Sequence, residues 1–264
     1  MAPSLLCVHA HPDDEVLFTG GVLAQAAAAQ WTTTVVTCTD GRYGYAPGGV
    51  SYGTDAHDPE ATAALRSGDL RAACAALGVD TVVELGYPDS GMRGWPINRA
   101  PEAFVNQPLE VVAAQVAAVI DAAQADLVVT YDRFGVYGHP DHIKATEVTE
   151  AALALLDAPP RLLQVTVSKS AIAALSAGLS TEDEGLPQWL ADLAEFGSSD
   201  EELVAMVNVT DVLETKRRAL ECHGSQLDNR FFLDMDAETF ALLLGSEVFT
   251  QPGGGSGEIA RQLT

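Results

Sequence analysis

Basic residues are scarce in this chain of 264 residues. Lys and Arg together number 14 against 37 Asp and Glu, which gives a formal net charge of −23. A surface this acidic repels the phosphates of nucleic acids and of anionic lipid headgroups. The composition therefore predicts a protein that binds neither nucleic acid nor membrane.

Cysteine and long apolar runs are also lacking. The four cysteines form no C-x-x-C pair, and Cys7 and Cys38 fall in predicted buried strands, so we expect free thiols rather than a disulfide framework. No apolar stretch reaches the roughly 18 residues that a membrane span needs, and the N-terminus has no signal-peptide pattern. These features predict a cytoplasmic protein. The sequence leaves a homo-oligomer open.

The sequence does contain a regular alternation of strand-like and helix-like segments. Short β-branched or apolar runs predict strands, and alanine-rich amphipathic segments between them predict helices. The predicted strands are residues 4–9, 33–38, 81–85, 126–131 and 162–167. Such repeats are typical of an α/β, Rossmann-like, doubly wound and mostly parallel sheet with helices on both faces. The expected order of the first four strands is 3-2-1-4.

The C-terminal third has a weaker pattern. It offers a strand candidate over residues 206–209 and a helix over 212–222, and it ends in a glycine-rich run. We predict one domain over residues 1–250, with a core of 1–175 and a C-terminal α+β extension of 176–250. Residues 251–264 are predicted to be a flexible tail.

Two histidine-containing motifs follow the first and fourth predicted strands. Ala10-His11-Pro12-Asp13-Asp14-Glu15 follows the first, and Gly138-His139-Pro140-Asp141-His142 follows the fourth. In a doubly wound sheet of this order the two strands are neighbours, and the loops at their carboxyl ends open into one crevice. The two motifs are therefore expected to meet.

The residue types in these motifs are those of a divalent metal site. His11, Asp14 and His142 together supply two imidazoles and a carboxylate, a set that leaves room for water. Asp13 lies between two of these residues and remains available as a base for that water. The alternative for any single residue is a helix cap, since Asp13 or His139 could each begin a helix.

These residues resemble the signatures of the LmbE-like, or PIG-L, family of zinc-dependent deacetylases, in particular its mycothiol-type branch. The resemblance covers most of the chain. It implies that His11, Asp14 and His142 bind the metal and that Asp13 is the general base. It also implies that His139 stabilises the oxyanion or protonates the leaving amine, that Asp141 orients His139, and that Tyr137 assists the tetrahedral intermediate.

The resemblance further implies a substrate and a reaction. Arg66 and Asp89 are expected to bind sugar hydroxyls. The implied activity is removal of an acyl group, acetyl in the simplest case, from the amine of a glucosaminyl compound. Such compounds include N-acetylglucosaminyl-inositol and glycosylated natural products. The implied cofactor is Zn²⁺, and the ligand set also suits Fe²⁺. A mycothiol S-conjugate amidase and a non-catalytic sugar- or metal-binding protein are the alternatives.

Overall fold

A computed structural model describes residues 2–178 and 196–253 of the protein. Its centre is a seven-stranded sheet, whose strands are β1 (Ser4–His9), β2 (Thr32–Thr39), β3 (Thr81–Tyr87), β4 (Leu127–Tyr131), β5 (Arg161–Thr166), β6 (Ala205–Asn208) and β7 (Ser246–Thr250). The strand order is β3-β2-β1-β4-β5-β7-β6. The first five strands run parallel, and β7 lies antiparallel to both of its neighbours. The α/β class and the order 3-2-1-4 are confirmed.

Helices connect the strands, as the alternating pattern predicts. Their bounds are α1 (Asp14–Ala28), α2 (Pro59–Leu77), α3 (Leu109–Ala123), α4 (Gly135–Gly138), α5 (Pro140–Ala154), α6 (Lys169–Gly178), α7 (Leu213–Cys222), α8 (Arg230–Leu233) and α9 (Ala237–Leu244). Short 3₁₀ turns lie between several of them. Within the described ranges no single helix is long and apolar enough to cross a membrane. Residues 96–106 and α3 together meet the criterion of length and composition, but the two segments are bent by 46° relative to each other.

The centre of the sheet is the hydrophobic core. Every residue of β1 is buried, because the strand lies between β2 and β4 and is covered on both faces. Cys7 pairs with Val35 on one side and with Val129 on the other. Burial on both faces accounts for the unbroken apolar run of this strand. The same position places the end of β1 next to the end of β4.

The C-terminal segment completes the sheet. Sequence analysis identified a strand and a helix there but missed β7 and α9, because neither carries a long periodic pattern. Glu247 of β7 accepts hydrogen bonds from the backbone N–H groups of Gly21 (2.7 Å) and Val22 (2.9 Å) in α1. It also pairs with Lys216 of α7 at 2.6 Å, with both side chains buried. These contacts fix the C-terminal segment against the N-terminal half. Most of the predicted tail, residues 254–264, lies outside the described residues.

Gly21 allows α1 and the C-terminal segment to approach closely. A Cβ atom added at this position would lie 2.4 Å from the Cβ of Val209, a distance that real carbon atoms do not adopt. Gly21 therefore has a packing role, and the Gly20-Gly21 pair carries no nucleotide-binding pattern.

Candidate metal and catalytic site

The two histidine-containing motifs meet at the carboxyl edge of the sheet. The first joins β1 to α1 and the second joins α4 to α5, and β1 and β4 are hydrogen-bonded neighbours. α5 begins at Pro140, so His142 lies in its first turn. The predicted convergence of His11 and His142, separated by 131 positions, is present in the structure.

Three donor atoms form a nearly equilateral triangle. His11 Nδ1 lies 3.2 Å from His142 Nε2 and 3.3 Å from Asp14 Oδ2, and the last two atoms are 3.3 Å apart. A tetrahedral ion with bonds of about 2.1 Å holds its ligand atoms about 3.4 Å apart. The residues therefore fit a divalent metal.

Other donors lie close to this triangle. His139 can join His11 and His142, and it also forms a buried group with His11, Asp89 and Asp141. We favour the triangle with Asp14 because its three atoms are mutually within 3.3 Å. His139 also has a competing role, since its Nδ1 accepts the backbone N–H of Asp141 at 3.1 Å and so caps α5.

The three residues of the triangle are held by further contacts. The Tyr131 hydroxyl donates to Asp14 Oδ2 at 2.6 Å, and its ring stacks on His142 with centroids 4.1 Å apart. His11 Nε2 lies 3.2 Å from Asp141 Oδ2. The carboxylate of Asp141 thus orients His11, whereas the family resemblance implied that it orients His139. A partner on the second ring nitrogen fixes which nitrogen faces a metal.

Asp13 adopts a backbone conformation that is rare for any residue except glycine. Its φ is 118° and its ψ is −26°. Its side chain makes no cap hydrogen bond to α1, so the capping alternative fails here. Instead, Asp13 Oδ2 lies 3.1 Å from the Arg66 guanidinium and accepts a hydrogen bond from Asn229 at 3.3 Å. Burial raises the pKa of the Asp13 carboxyl, and Arg66 offsets part of that rise.

A buried Glu15–His223 pair supports the backbone of Asp13. Glu15 Oε2 accepts the backbone N–H of Asp13 at 2.9 Å, and Glu15 Oε1 lies 2.6 Å from His223 Nε2. Both side chains of the pair are fully buried. Burial opposes protonation of His223, but the Glu15 carboxylate outweighs it and the pKa of His223 lies above its usual value.

From the sequence alone Glu15 has no assigned role, and His223 fits two roles equally well, a hydrogen-bond partner of a site residue or a packed histidine. The only signal was that Glu15 ends the first motif and that His223 lies in a segment similar to the family. Nothing in the local pattern indicated that the two residues meet.

His139 and Tyr137 border the triangle on the side of the second motif. Their ring centroids are 6.0 Å apart, and the Tyr137 ring lies 5.0 Å from that of His142. Burial lowers the pKa of His139 well below its usual value, and the nearby imidazoles of His11 and His142 lower it further. Burial also raises the pKa of the Tyr137 phenol well above its usual value. Tyr137 is therefore a protonated, neutral donor.

Arg66 and Asp89 are buried rather than free on the surface. Besides its contact with Asp13, the Arg66 guanidinium donates to the backbone carbonyls of Gly41 and Pro12. Asp89 Oδ1 accepts the N–H of Gly91 at 2.7 Å and lies 3.6 Å from His11 Nε2. Both residues line the cavity that contains the triangle. Arg66 thus holds Asp13 and its loop directly.

The cavity has a volume of about 1110 Å³ and follows the carboxyl edge of the sheet. On one side of the triangle the cavity wall is polar and aromatic. We call this side the polar arm; it is lined by Arg66, Asp89, Tyr43, Tyr52 and Trp95. Tyr52 and Trp95 stack with centroids 4.5 Å apart. Tyr43 and Tyr52 come from the long irregular loop between β2 and α2.

Comparisons with known proteins show the family of the chain. Residues 6–153 match the PIG-L family model, described as GlcNAc-PI de-N-acetylase. A curated protein of Actinosynnema mirum is 41% identical over 232 residues, which cover 85% of this chain and 81% of that protein. It is named 1D-myo-inositol 2-acetamido-2-deoxy-alpha-D-glucopyranoside deacetylase.

Solved structures share the fold at lower identity. The N,N'-diacetylchitobiose deacetylase of Pyrococcus horikoshii has a TM-score of 0.61 and 21% identity, covering 94% of this chain and 83% of its own. The 4-carboxy-2-hydroxymuconate hydratase GalB of Pseudomonas putida has a TM-score of 0.62 and 16% identity, covering 97% and 98%. Because a hydratase shares this fold, the fold alone does not determine the reaction.

Proposed function

The chain belongs to the PIG-L family of de-N-acetylases, and we propose that it is a metal-dependent hydrolase that removes an acyl group from the amine of a glucosaminyl compound. The observation that carries this proposal is the triangle of His11, Asp14 and His142 donor atoms, with the Asp13 carboxylate beside it. Two imidazoles and one carboxylate with an open position are the ligands of catalytic zinc sites.

The metal would be held by His11 Nδ1, His142 Nε2 and Asp14 Oδ2. When bound, a divalent ion supplies Lewis acidity, which lowers the pKa of water and polarises the amide carbonyl. Zn²⁺ and Fe²⁺ both suit these ligands. His11 Nε2 faces Asp141 at 3.2 Å, so its proton would lie on that nitrogen and leave Nδ1 free as a ligand.

Asp13 is the proposed general base. Its raised pKa favours proton transfer from the attacking water, because a base is most effective when its pKa approaches the working pH. Arg66 and Asn229 hold the carboxylate in one orientation. The Glu15–His223 pair fixes the backbone of the same residue, and we assign it a positioning role.

His139 and Tyr137 are the proposed donors to the carbonyl oxygen. His139 Nδ1 accepts a backbone N–H, so a neutral ring carries its proton on Nε2 and can donate it. The Tyr137 phenol stays protonated. Donors aimed at a developing oxyanion are each worth about 100-fold or more in rate. The leaving amine would take its proton from His139 or from protonated Asp13.

The proposed substrate is a small glycoside, bound by the polar arm. Arg66 and Asp89 are the proposed contacts for sugar hydroxyls, and the rings of Tyr52 and Trp95 suit the apolar faces of a sugar. The Actinosynnema relative is named for an inositol glycoside of N-acetylglucosamine, which makes this compound the first candidate. The mycothiol S-conjugate amidase remains the alternative of the same chemistry.

Several broader expectations stay proposals. We propose that residues 1–250 form one domain, since one sheet contains strands from both the core and the extension. We also propose that the protein is cytoplasmic and binds neither nucleic acid nor membrane, which the net charge of −23 and the absence of cysteine pairs support.

The test is amine release from N-acetylglucosaminyl-inositol, detected with fluorescamine, using metal-stripped protein with and without added Zn²⁺. We expect release only with metal. Asp13→Asn should reduce kcat by about 100- to 10,000-fold while the bound metal is retained. Asp157→Asn, at an exposed position far from the site, is the matched control. Full activity of metal-loaded Asp13→Asn would refute the assigned mechanism, and stoichiometric metal without any turnover would favour a binding protein.

A further inference from the structure

The cavity extends beyond the metal site in the direction opposite to the polar arm. We call this extension the apolar arm; it is lined by Val167, Ala171, Ile172, Met206, Leu243 and Val248. Leu17 and Phe18 of α1 also line the cavity, and the Phe18 ring lies 5.9 Å from that of His142. The two arms and the triangle thus belong to one cavity.

The apolar arm spans several strands. Thr166, Val248 and Met206 are register neighbours across β5, β7 and β6, and all three line the cavity. Adjacent strands lie about 4.8 Å apart, so the distance from β4 to β6 is about 14 Å. This is long enough for an extended chain of about ten carbon atoms. An acetyl group at the triangle would leave this arm unused.

Two of the polar groups that reach the apolar arm from its inner walls are bonded within the protein. The Thr166 hydroxyl donates to Asp132 Oδ2 at 2.6 Å. Lys216 Nζ donates to Glu247 Oε1 at 2.6 Å, so the two buried charges neutralise each other. A sugar would find few free partners on these walls, whereas an alkyl chain needs none.

The difference in polarity between the two arms indicates how the substrate is oriented in the cavity. The scissile amide joins a sugar to an acyl group, and the amide must lie at the triangle. Sugar hydroxyls require the charged groups of the polar arm, so the acyl group points into the apolar arm. We propose that the substrate carries an apolar acyl group longer than acetyl, bound in the apolar arm. This inference rests on the proposed function and specifies its substrate class.

The test compares N-acetyl, N-butanoyl, N-hexanoyl and N-octanoyl forms of one glucosaminyl compound with the zinc-loaded full chain. All four release the same amine, so a single fluorescamine assay measures them. Burial of each methylene group should raise kcat/KM about fourfold until the arm is filled. A flat or falling series with a good acetyl substrate overturns this inference and leaves the proposed function intact. No release from any member, despite bound metal, overturns both.

A matched pair of variants locates the effect. Ala171 and Ala173 are both exposed residues of α6, but of the two only Ala171 is among the residues that line the cavity. Ala171→Phe should fill part of the arm and lower the octanoyl-to-acetyl ratio of kcat/KM at least tenfold. Ala173→Phe should leave that ratio unchanged. Because the readout is a ratio, a partly unfolded sample does not affect it. Equal ratios in the two variants would place the acyl chain elsewhere.

Discussion

Replacing Glu15 with Ala should remove most of the activity while the metal ligands remain in place. Asp13 has a φ of 118°, and conformations of this kind cost about 1–3 kcal/mol. The Glu15 carboxylate offsets that cost by accepting the Asp13 N–H at 2.9 Å. Its loss would leave a buried donor unpaired, at a further cost of about 1–3 kcal/mol. Residue 13 would therefore relax, and a 1 Å displacement of a catalytic group costs up to about 100-fold in rate.

Glu15→Gln is the matched variant. Its side-chain carbonyl can still accept the Asp13 N–H, although the charge that strengthens the bond to His223 is lost. We expect a decrease in kcat of about tenfold or less for Glu15→Gln and of about 100-fold for Glu15→Ala, with KM little changed in both. The assay is amine release at saturating and limiting substrate, with zinc content and melting temperature measured on the same samples.

Two results would contradict this reasoning. A folded, zinc-loaded Glu15→Ala protein with kcat within twofold of the wild type would show that Asp13 needs no support from Glu15. A protein that loses zinc in parallel with activity would show instead that Glu15 maintains the neighbouring ligand Asp14.

Three further perturbations test the packing and electrostatics of the site. Tyr131→Phe removes the 2.6 Å hydrogen bond to Asp14 and should weaken zinc binding about 10- to 100-fold in a chelator competition. Gly21→Ala places a Cβ 2.4 Å from Val209 and should lower the free energy of unfolding, measured in urea, by about 1–3 kcal/mol. The control is Gly68→Ala, which has open space around the added Cβ and should not lower the free energy of unfolding. Because the pKa of His223 is raised in the folded state, its pairing with Glu15 stabilises the protein fully below about pH 6.5 and less as the pH rises through the raised pKa. The stability difference between wild type and His223→Gln should therefore shrink at high pH, and a constant difference would contradict the ion pair.

Local pattern and a topology rule were sufficient to predict the centre of the molecule. The apolar run that predicted β1 as residues 4–9 corresponds to Ser4–His9. The alternation of strands and helices predicted the order of the first four strands, and that order brings His11 to within 3.2 Å of His142. These predictions succeed because strand burial and right-handed crossovers depend on short segments of sequence.

The support of the site could not be predicted in this way. His223 and Glu15 lie 208 positions apart, and no periodic pattern relates them. β7 is only five residues long, and its partners β5 and β6 and the α1 backbone that Glu247 contacts are distant in the sequence. The family resemblance implied that Asp141 orients His139, whereas its carboxylate lies 3.2 Å from His11 Nε2, on a segment 130 positions away. Long-range packing decides each of these cases.

The position of β7 has a consequence for how the protein is made. β5 pairs with β7, which is synthesised after the other six strands of the sheet, and among the described residues β6 pairs with β7 alone. Until residues 246–250 emerge, the edge of β5 is open to pairing with other chains. During this time the hydrogen bonds from the α1 backbone to Glu247 are also missing. A nascent chain that already contains both histidine motifs would therefore still lack the pairing of β5 and β6 with β7. The newly made protein should depend on this late, long-range pairing before it becomes active.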